Sequence, residues 1–154
     1  MSEYLERNCV QVLDEVPNWR DAIRIASKPL LENGSIRSGY VDAMITTVET
    51  LGSYIVIAPD IAMPHSESRG DVLKNCYAVL KLKQSVSFDD NSEDGARARL
   101  IIPIASVDNK SHLGMLQNLA IFLSTNSEQV LETNDPDIIY SLFCSSENKV
   151  KENL

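Results

Sequence analysis

Residues 54–68 read YIVIAPDIAMPHSES, an apolar run from Tyr54 to Met63 that meets Pro64 and delivers His65 where the pattern turns polar. The β-branched and aromatic residues at its start predict a strand over Tyr54–Ala58. Pro64 fixes its own φ and lacks an N–H, so the chain turns in a defined direction and presents the His65 ring. A neutral imidazole carries a lone pair at physiological pH. It attacks phosphorus without a general base, because the attacking nitrogen has no proton to lose.

Outward from this stretch, helical and extended patterns alternate. A strand over Cys9–Leu13 is followed by a helix from Trp19 to about Glu32, capped by Asn18 and stopped by Asn33-Gly34, with Ile23, Ala26, Leu30 and Leu31 at helical spacing. Pro29 falls inside that helix and is expected to kink it or to end it near Ser27. A second helix over Ser38–Leu51 carries Tyr40, Val41, Met44, Ile45 and Val48 on one side and ends at Gly52. Further strands are expected at Tyr77–Lys83 and Leu100–Ala105, separated by an acidic, solvated excursion from Gln84 to Arg97. Asp108-Asn109-Lys110-Ser111 offers caps for a helix from His112 to Leu123. Short helices at Glu128–Thr133 and Pro136–Phe143 and a frayed tail from Ser145 complete the chain. Strands interleaved with helices predict an α/β fold: a single domain spanning 1–154, core about 10–145, with a mixed β-sheet covered by helices. In such sheets the carboxyl ends of strands form the rim where sites lie, and both His65 and His112 fall just after strands.

Composition narrows the function. At 154 residues and 44% hydrophobic content, one core burying about two-thirds of the unfolded surface is expected. No run approaches the roughly 20 apolar residues of a membrane span. The N-terminal residues lack the order of a signal peptide, so a soluble, cytoplasmic protein is expected. The formal net charge of -8 argues against nucleic acid as a partner. Cys9, Cys76 and Cys144 form no Cys-x-x-Cys pair and read as reduced, buried thiols.

His112, at the first turn of its helix, is expected to stay neutral beside the positive dipole end, so that a ring nitrogen and free backbone N–H groups can face an anion. Ser66, Ser68, Ser111 and Arg69 are further candidate donors. Two other chemistries compete. A hydrolase using His65 with Asp60 or Ser66 lacks a Gly-x-Ser-x-Gly elbow, and a metal site using both histidines lacks a His-x-x-x-His pair.

Ile61-Ala62-Met63-Pro64-His65 resembles the phosphorylation-site motif of the mannitol/fructose-type IIA components of the bacterial phosphoenolpyruvate-dependent sugar phosphotransferase system (PTS). Val48-Glu49-Thr50-Leu51-Gly52 and Ser111-His112-Leu113-Gly114-Met115-Leu116 fit the same pattern, and the likeness covers about residues 10 to 145. Within the family, Tyr54-Ile55-Val56-Ile57-Ala58-Pro59 is most similar to the ascorbate-specific branch. The resemblance implies a phosphocarrier that takes a phosphoryl group from HPr on His65, through Nε2, and passes it to a cysteine of a IIB partner, with the membrane component IIC involved only indirectly. It implies His112 as the supporting histidine, no metal or cofactor, and a sugar such as L-ascorbate, a related sugar acid or a pentitol. A regulatory IIA-like phosphorylation sensor is the alternative. Two departures stand out: Ser66 replaces the glycine that often follows the phosphorylated histidine, and Thr46-Thr47-Val48-Glu49 occupies the region where mannitol-type members carry an assisting arginine. The rim of the site is expected to be mainly apolar, built from residues such as Ile61, Met63, Leu113 and Met115 where they are not needed in the core.

Overall fold

The first helix, α1, spans Trp19–Glu32 and starts where Asn18 accepts a hydrogen bond from the Asp21 N–H at 2.9 Å. Its apolar stripe of Ala22, Ile23, Ala26 and Leu30 is buried. Pro29 does not end the helix. Lacking an N–H, it leaves the Ile25 carbonyl without the donor one turn along. The Gln11 side-chain amide, reaching from the neighbouring strand, donates to that carbonyl at 2.8 Å. The expected break is thus repaired by a residue 14 positions earlier.

The computed structural model describes residues 2–67, 70–92 and 94–152. Helix α2, Ser38–Leu51, has the expected bounds. It ends where Gly52, at φ +83°, closes back on Val48 O at 2.8 Å, a left-handed conformation that suits glycine. The strands are β1 (Val10–Leu13), β2 (Val56–Ala58), β3 (Asp60–Ala62), β4 (Cys76–Tyr77), β5 (Val79–Ser87), β6 (Arg97–Ile101) and β7 (Ile104–Ala105). Among the described residues they form a five-stranded sheet ordered β1-β5-β6-β3-β2 and a two-stranded ribbon of β4 and β7. The sheet is mixed, as expected: β1 runs parallel to β5 and β3 to β6, while β5–β6 and β2–β3 are antiparallel. Helix α1 packs on β5 and β6, and α4 (Pro136–Glu152) on β1.

Several expectations are corrected. The run from Tyr54 to Met63 is a hairpin: a 3₁₀ turn at Ser53–Ile55 leads into β2, Pro59 and Asp60 reverse the chain, and β3 returns beside β2. Asp60 takes φ +69°, which a short polar side chain tolerates. Strand β5 runs to Ser87, beyond the expected Lys83, because the alternation continues through buried Val86 to buried Phe88. The acidic excursion is correspondingly shorter and is fastened to the start of α1. Asp90 accepts from Trp19 Nε1 at 2.8 Å and pairs with Arg20 at 3.1 Å, and Phe88 packs on the Trp19 ring. The expected strand Leu100–Ala105 is divided around Pro103 into β6 and β7, which join different sheets.

Helix α3, Asn109–Glu132, absorbs two elements that the polar run Ser124-Thr125-Asn126-Ser127 suggests are separate. Three of those side chains turn their donors back onto the helix: Ser124 Oγ to Ile121 O at 2.7 Å, Thr125 Oγ1 to the same carbonyl at 3.5 Å and Asn126 Nδ2 to Phe122 O at 3.2 Å. The apolar face resumes at buried Val130. At the C-terminal end of α3 the ammonium of Lys81, a buried residue of β5, donates to Thr133 O at 3.0 Å and Asn134 Oδ1 at 2.9 Å, complementing the negative helix end. Helix α4 starts at Pro136 behind Asp135, as expected, but continues through Glu152, where a frayed tail is expected from Ser145. Cys9, Cys76 and Cys144 are buried free thiols, and burial raises Cys9 to about 11 and Cys76 to about 12.

Candidate functional site

The backbone around His65 is held from both sides. Beyond β3, Met63 N–H donates to Ile55 O at 2.9 Å, and Pro64 O accepts from Ile104 N–H at 2.9 Å. The His65 ring then folds back so that Nδ1 lies 2.7 Å from Met63 O. A carbonyl only accepts, so Nδ1 carries the hydrogen and, in the neutral ring, Nε2 keeps a free lone pair. Tyr54 meets the ring edge-on, with centroids 5.7 Å apart and planes at 81°.

His112 faces it across the cavity at a centroid separation of 5.0 Å. It stands in the fourth position of α3, because the helix starts at Asn109 rather than at His112. Its own N–H is already spent on Asp108 O at 3.1 Å. Burial, and secondarily the nearby His65, hold the His112 imidazole below its ordinary pKa, so it is neutral at physiological pH.

The two rings sit in a cavity of about 940 Å³ between α2, the His65 segment and the start of α3. Its lining carries hydroxyls, Thr46, Thr47, Ser66 and Ser106, and carboxylates, Asp42, Glu67, Asp71 and Asp108; among the described residues no lysine or arginine lines it. Ser66, adjacent to His65, has its Oγ 3.0 Å from Thr47 Oγ1. Thr47 has one hydroxyl hydrogen and donates it to Ala43 O at 2.8 Å, so Ser66 is the donor between the two. Glu49, in the same stretch of α2, points to Arg20 instead, at 3.2 Å.

The remaining candidates are placed differently. Ser111 does not line the cavity: its N–H donates to Asp108 Oδ1 at 2.7 Å, and its backbone and side-chain bonds lower the Asp108 pKa. Ser68 and Arg69 lie outside the described residues. Sequence reasoning does not single out Tyr40, Thr47, Tyr54 and Asp108 as site residues. Tyr40 and Thr47 read only as parts of a helix, and the partners of their hydroxyls are set by tertiary packing. The rim needs correction: Ile61, Met63 and Met115 are buried in the core, and only Leu113 of the four is exposed, at 56%. The apolar mouth is made by exposed Leu51, Tyr54 and Val107, which line the cavity, and by Leu113 beside His112.

The fold agrees with the comparisons to known proteins. The family described as "Phosphoenolpyruvate-dependent sugar phosphotransferase system, EIIA 2" matches residues 3–145. The chain belongs to that family, and is a IIA component of the sugar PTS. It is 30% identical over 132 residues to a mannitol-specific cryptic phosphotransferase enzyme IIA component of Escherichia coli (strain K12), covering 86% of each chain. It is 31% identical over 119 residues to an ascorbate-specific PTS system EIIA component of Salmonella choleraesuis (strain SC-B67), covering 76% of each. Among solved structures, the complex of enzyme IIAMTL with phosphorylated enzyme IIBMTL from Escherichia coli superposes at a TM-score of 0.75 with 26% identity, covering 90% of this chain and 96% of the other. Among the described residues no helix is long and apolar enough to cross a membrane.

Proposed function

We propose that this chain is a phosphocarrier that accepts a phosphoryl group from phospho-HPr on His65 and passes it to a cysteine of its IIB partner. The observation that carries the reading is the His65 ring. Nδ1 is committed to Met63 O, and Nε2 is left as a lone pair in a cavity whose opposite wall is His112. In the forward step Nε2 attacks phosphorus in line; the new N–P bond forms as the donor's N–P bond breaks, and the electron pair returns to the donor imidazole. His65 gives up no proton in the attack. The neutral His112 ring donates a hydrogen bond to the phosphoryl oxygens as charge gathers on them. Ser66 rotates its hydroxyl from Thr47 to the same oxygens.

The described lining holds four carboxylates. Their charge opposes tight holding of a dianion, which leaves the phosphohistidine a high tendency to transfer onward. In the second step the IIB thiolate attacks the same phosphorus and His65 leaves as neutral imidazole. Recognition of IIB is supported by the complex of the mannitol relative with phosphorylated IIB. The ascorbate-specific relatives support L-ascorbate or a related sugar acid or pentitol as the transported substrate.

The test is incubation with phosphoenolpyruvate, enzyme I and HPr, followed by assay for an acid-labile, base-stable phosphate. Label is expected on the wild type and absent from His65→Ala. His112→Ala is expected to take label but to transfer it about a hundred- to a thousandfold more slowly, the usual loss for one oxyanion donor. Undiminished labelling of His65→Ala overturns the assignment. Faster onward transfer to a IIB from an ascorbate system than to one from a mannitol system is the expected substrate signature.

A further inference from the structure

One buried phenol joins the structural elements around His65. Tyr40, in α2, is 2% exposed. Its hydroxyl donates to Ile104 O at 2.5 Å and accepts from Ser66 N–H at 3.2 Å. On the other side of His65, Pro64 O accepts from the Ile104 N–H at 2.9 Å. The two backbone groups of Ile104 therefore grip the peptides flanking His65, one directly and one through the Tyr40 oxygen. The phenol oxygen has one hydrogen, and Ile104 O takes it at the shorter distance; the Ser66 carbonyl, 3.4 Å away, is only a secondary neighbour.

We infer that Tyr40 is the positioning residue of phosphoryl transfer, holding the Pro64–Ser66 segment so that His65 keeps its Nδ1 on Met63 O and its Nε2 toward the cavity. This inference rests on the reading of His65 as phosphoryl acceptor. Without the phenol oxygen, Ser66 N–H and Ile104 O lose their common partner, and the segment is tied to β7 only through Pro64. The ring is then free to swing and to exchange tautomers. In-line attack tolerates little of this, because a displacement of about 1 Å at a reacting atom costs about a hundredfold in rate. Tyr40 touches no reacting atom itself. Its effect passes through the backbone.

The experiment compares wild type, Tyr40→Phe and Gln11→Met in the full chain. Gln11→Met removes a side-chain hydrogen bond far from the cavity, the one to Ile25 O, and serves as a control for general destabilisation. Transfer from phospho-HPr to Tyr40→Phe is expected to slow by about ten- to a hundredfold, while Gln11→Met transfers at the wild-type rate. In ¹⁵N NMR the wild-type His65 ring is expected to show protonated Nδ1 and unprotonated Nε2, and Tyr40→Phe a mixture of both tautomers. Wild-type transfer together with an unchanged tautomer in Tyr40→Phe overturns the inference. The spectra are read on the unphosphorylated protein, so they test the clasp even if the wild type takes no label, a result that would count against the phosphocarrier reading instead. Should Tyr40→Phe fail to fold, amide exchange of the wild type decides: Ser66 N–H is expected to be protected as Ile104 N–H is, and exchange at the rate of an open loop overturns the clasp.

Discussion

The hydrogen bond from Gln11 to Ile25 O should be worth more than its distance suggests, because it occupies a vacancy that Pro29 creates. In Gln11→Met the side chain keeps its length and loses its donor, leaving the half-buried Ile25 carbonyl unpaired. A typical intramolecular bond nets about 1 kcal/mol, and an unsatisfied group adds desolvation, so about 1.5 kcal/mol is expected. For a chain of this size that lowers Tm by roughly 3–6 °C. In a Pro29→Ala background the backbone N–H restored at that position lies one turn beyond Ile25 and takes over its carbonyl. Gln11→Met should then cost only about 0.5 kcal/mol, the balance being a coupling of about 1 kcal/mol. Pro29 is itself buried, so Pro29→Ala alone carries a packing change, which the double-mutant cycle cancels. Urea melts followed by far-UV circular dichroism, and by the fluorescence of Trp19 at the head of the same helix, measure all four corners. If Gln11→Met costs the same in both backgrounds to within about 0.3 kcal/mol, Gln11 does not compensate for Pro29 and the argument fails.

The depressed pKa of His112 gives a pH signature with a definite sign. Between its folded value and the ordinary 6.5 the unfolded chain binds more protons than the native state, so this contribution is complete above pH 6.5 and lost as pH falls through the folded value. Urea midpoints from about pH 5 to 7.5 should rise with pH more steeply for wild type than for His112→Asn; equal slopes refute the assignment. At the mouth, Leu51 and Leu113 are 66% and 56% exposed. Replacing both with serine should change stability by less than about 1 kcal/mol in total, yet raise the dissociation rate of HPr about tenfold; an unchanged rate removes them from the interface. Added salt should slow HPr association modestly and leave dissociation nearly unchanged, because long-range attraction is screened over about 8 Å at physiological ionic strength. Stopped-flow measurements at increasing salt check this, and a dissociation rate that climbs steeply refutes it.

What can be read without coordinates is whatever short-range chemistry decides. The bounds of α1 and α2 follow from Asn18, Gly52 and periodic apolar residues, all within a turn of the ends they define. Where a distant partner decides, local reading fails. Pro29 stays helical because of Gln11. Pro59-Asp60 is a turn signal, but it lies inside an apolar run that masks it. The polar run at 124–127 suggests a break and instead bonds back to its own helix. The site divides in the same way. His65 and His112 stand out as the only histidines, each after a strand. The hydroxyls of Tyr40 and Thr47 matter through Ser66, 26 and 19 residues away, and no local pattern marks such a pairing.

Strand order also sets a timetable for the growing chain on the ribosome. Val10 pairs with Val79, and Ala62 with Ile101. At about 5–20 residues per second, β1 waits roughly 3 to 14 s for its neighbour, and β3 roughly 2 to 8 s for its inner one. Until β6 emerges, the β2–β3 hairpin that leads to His65 has no sheet to join, and Ile104 has not yet arrived to grip Pro64. Helix α3, with His112, comes later still. A nascent chain therefore carries the His65 segment as a loose hairpin for the roughly 40 residues between Ala62 and Ile101, and the pocket closes only once the start of α3 has also been made.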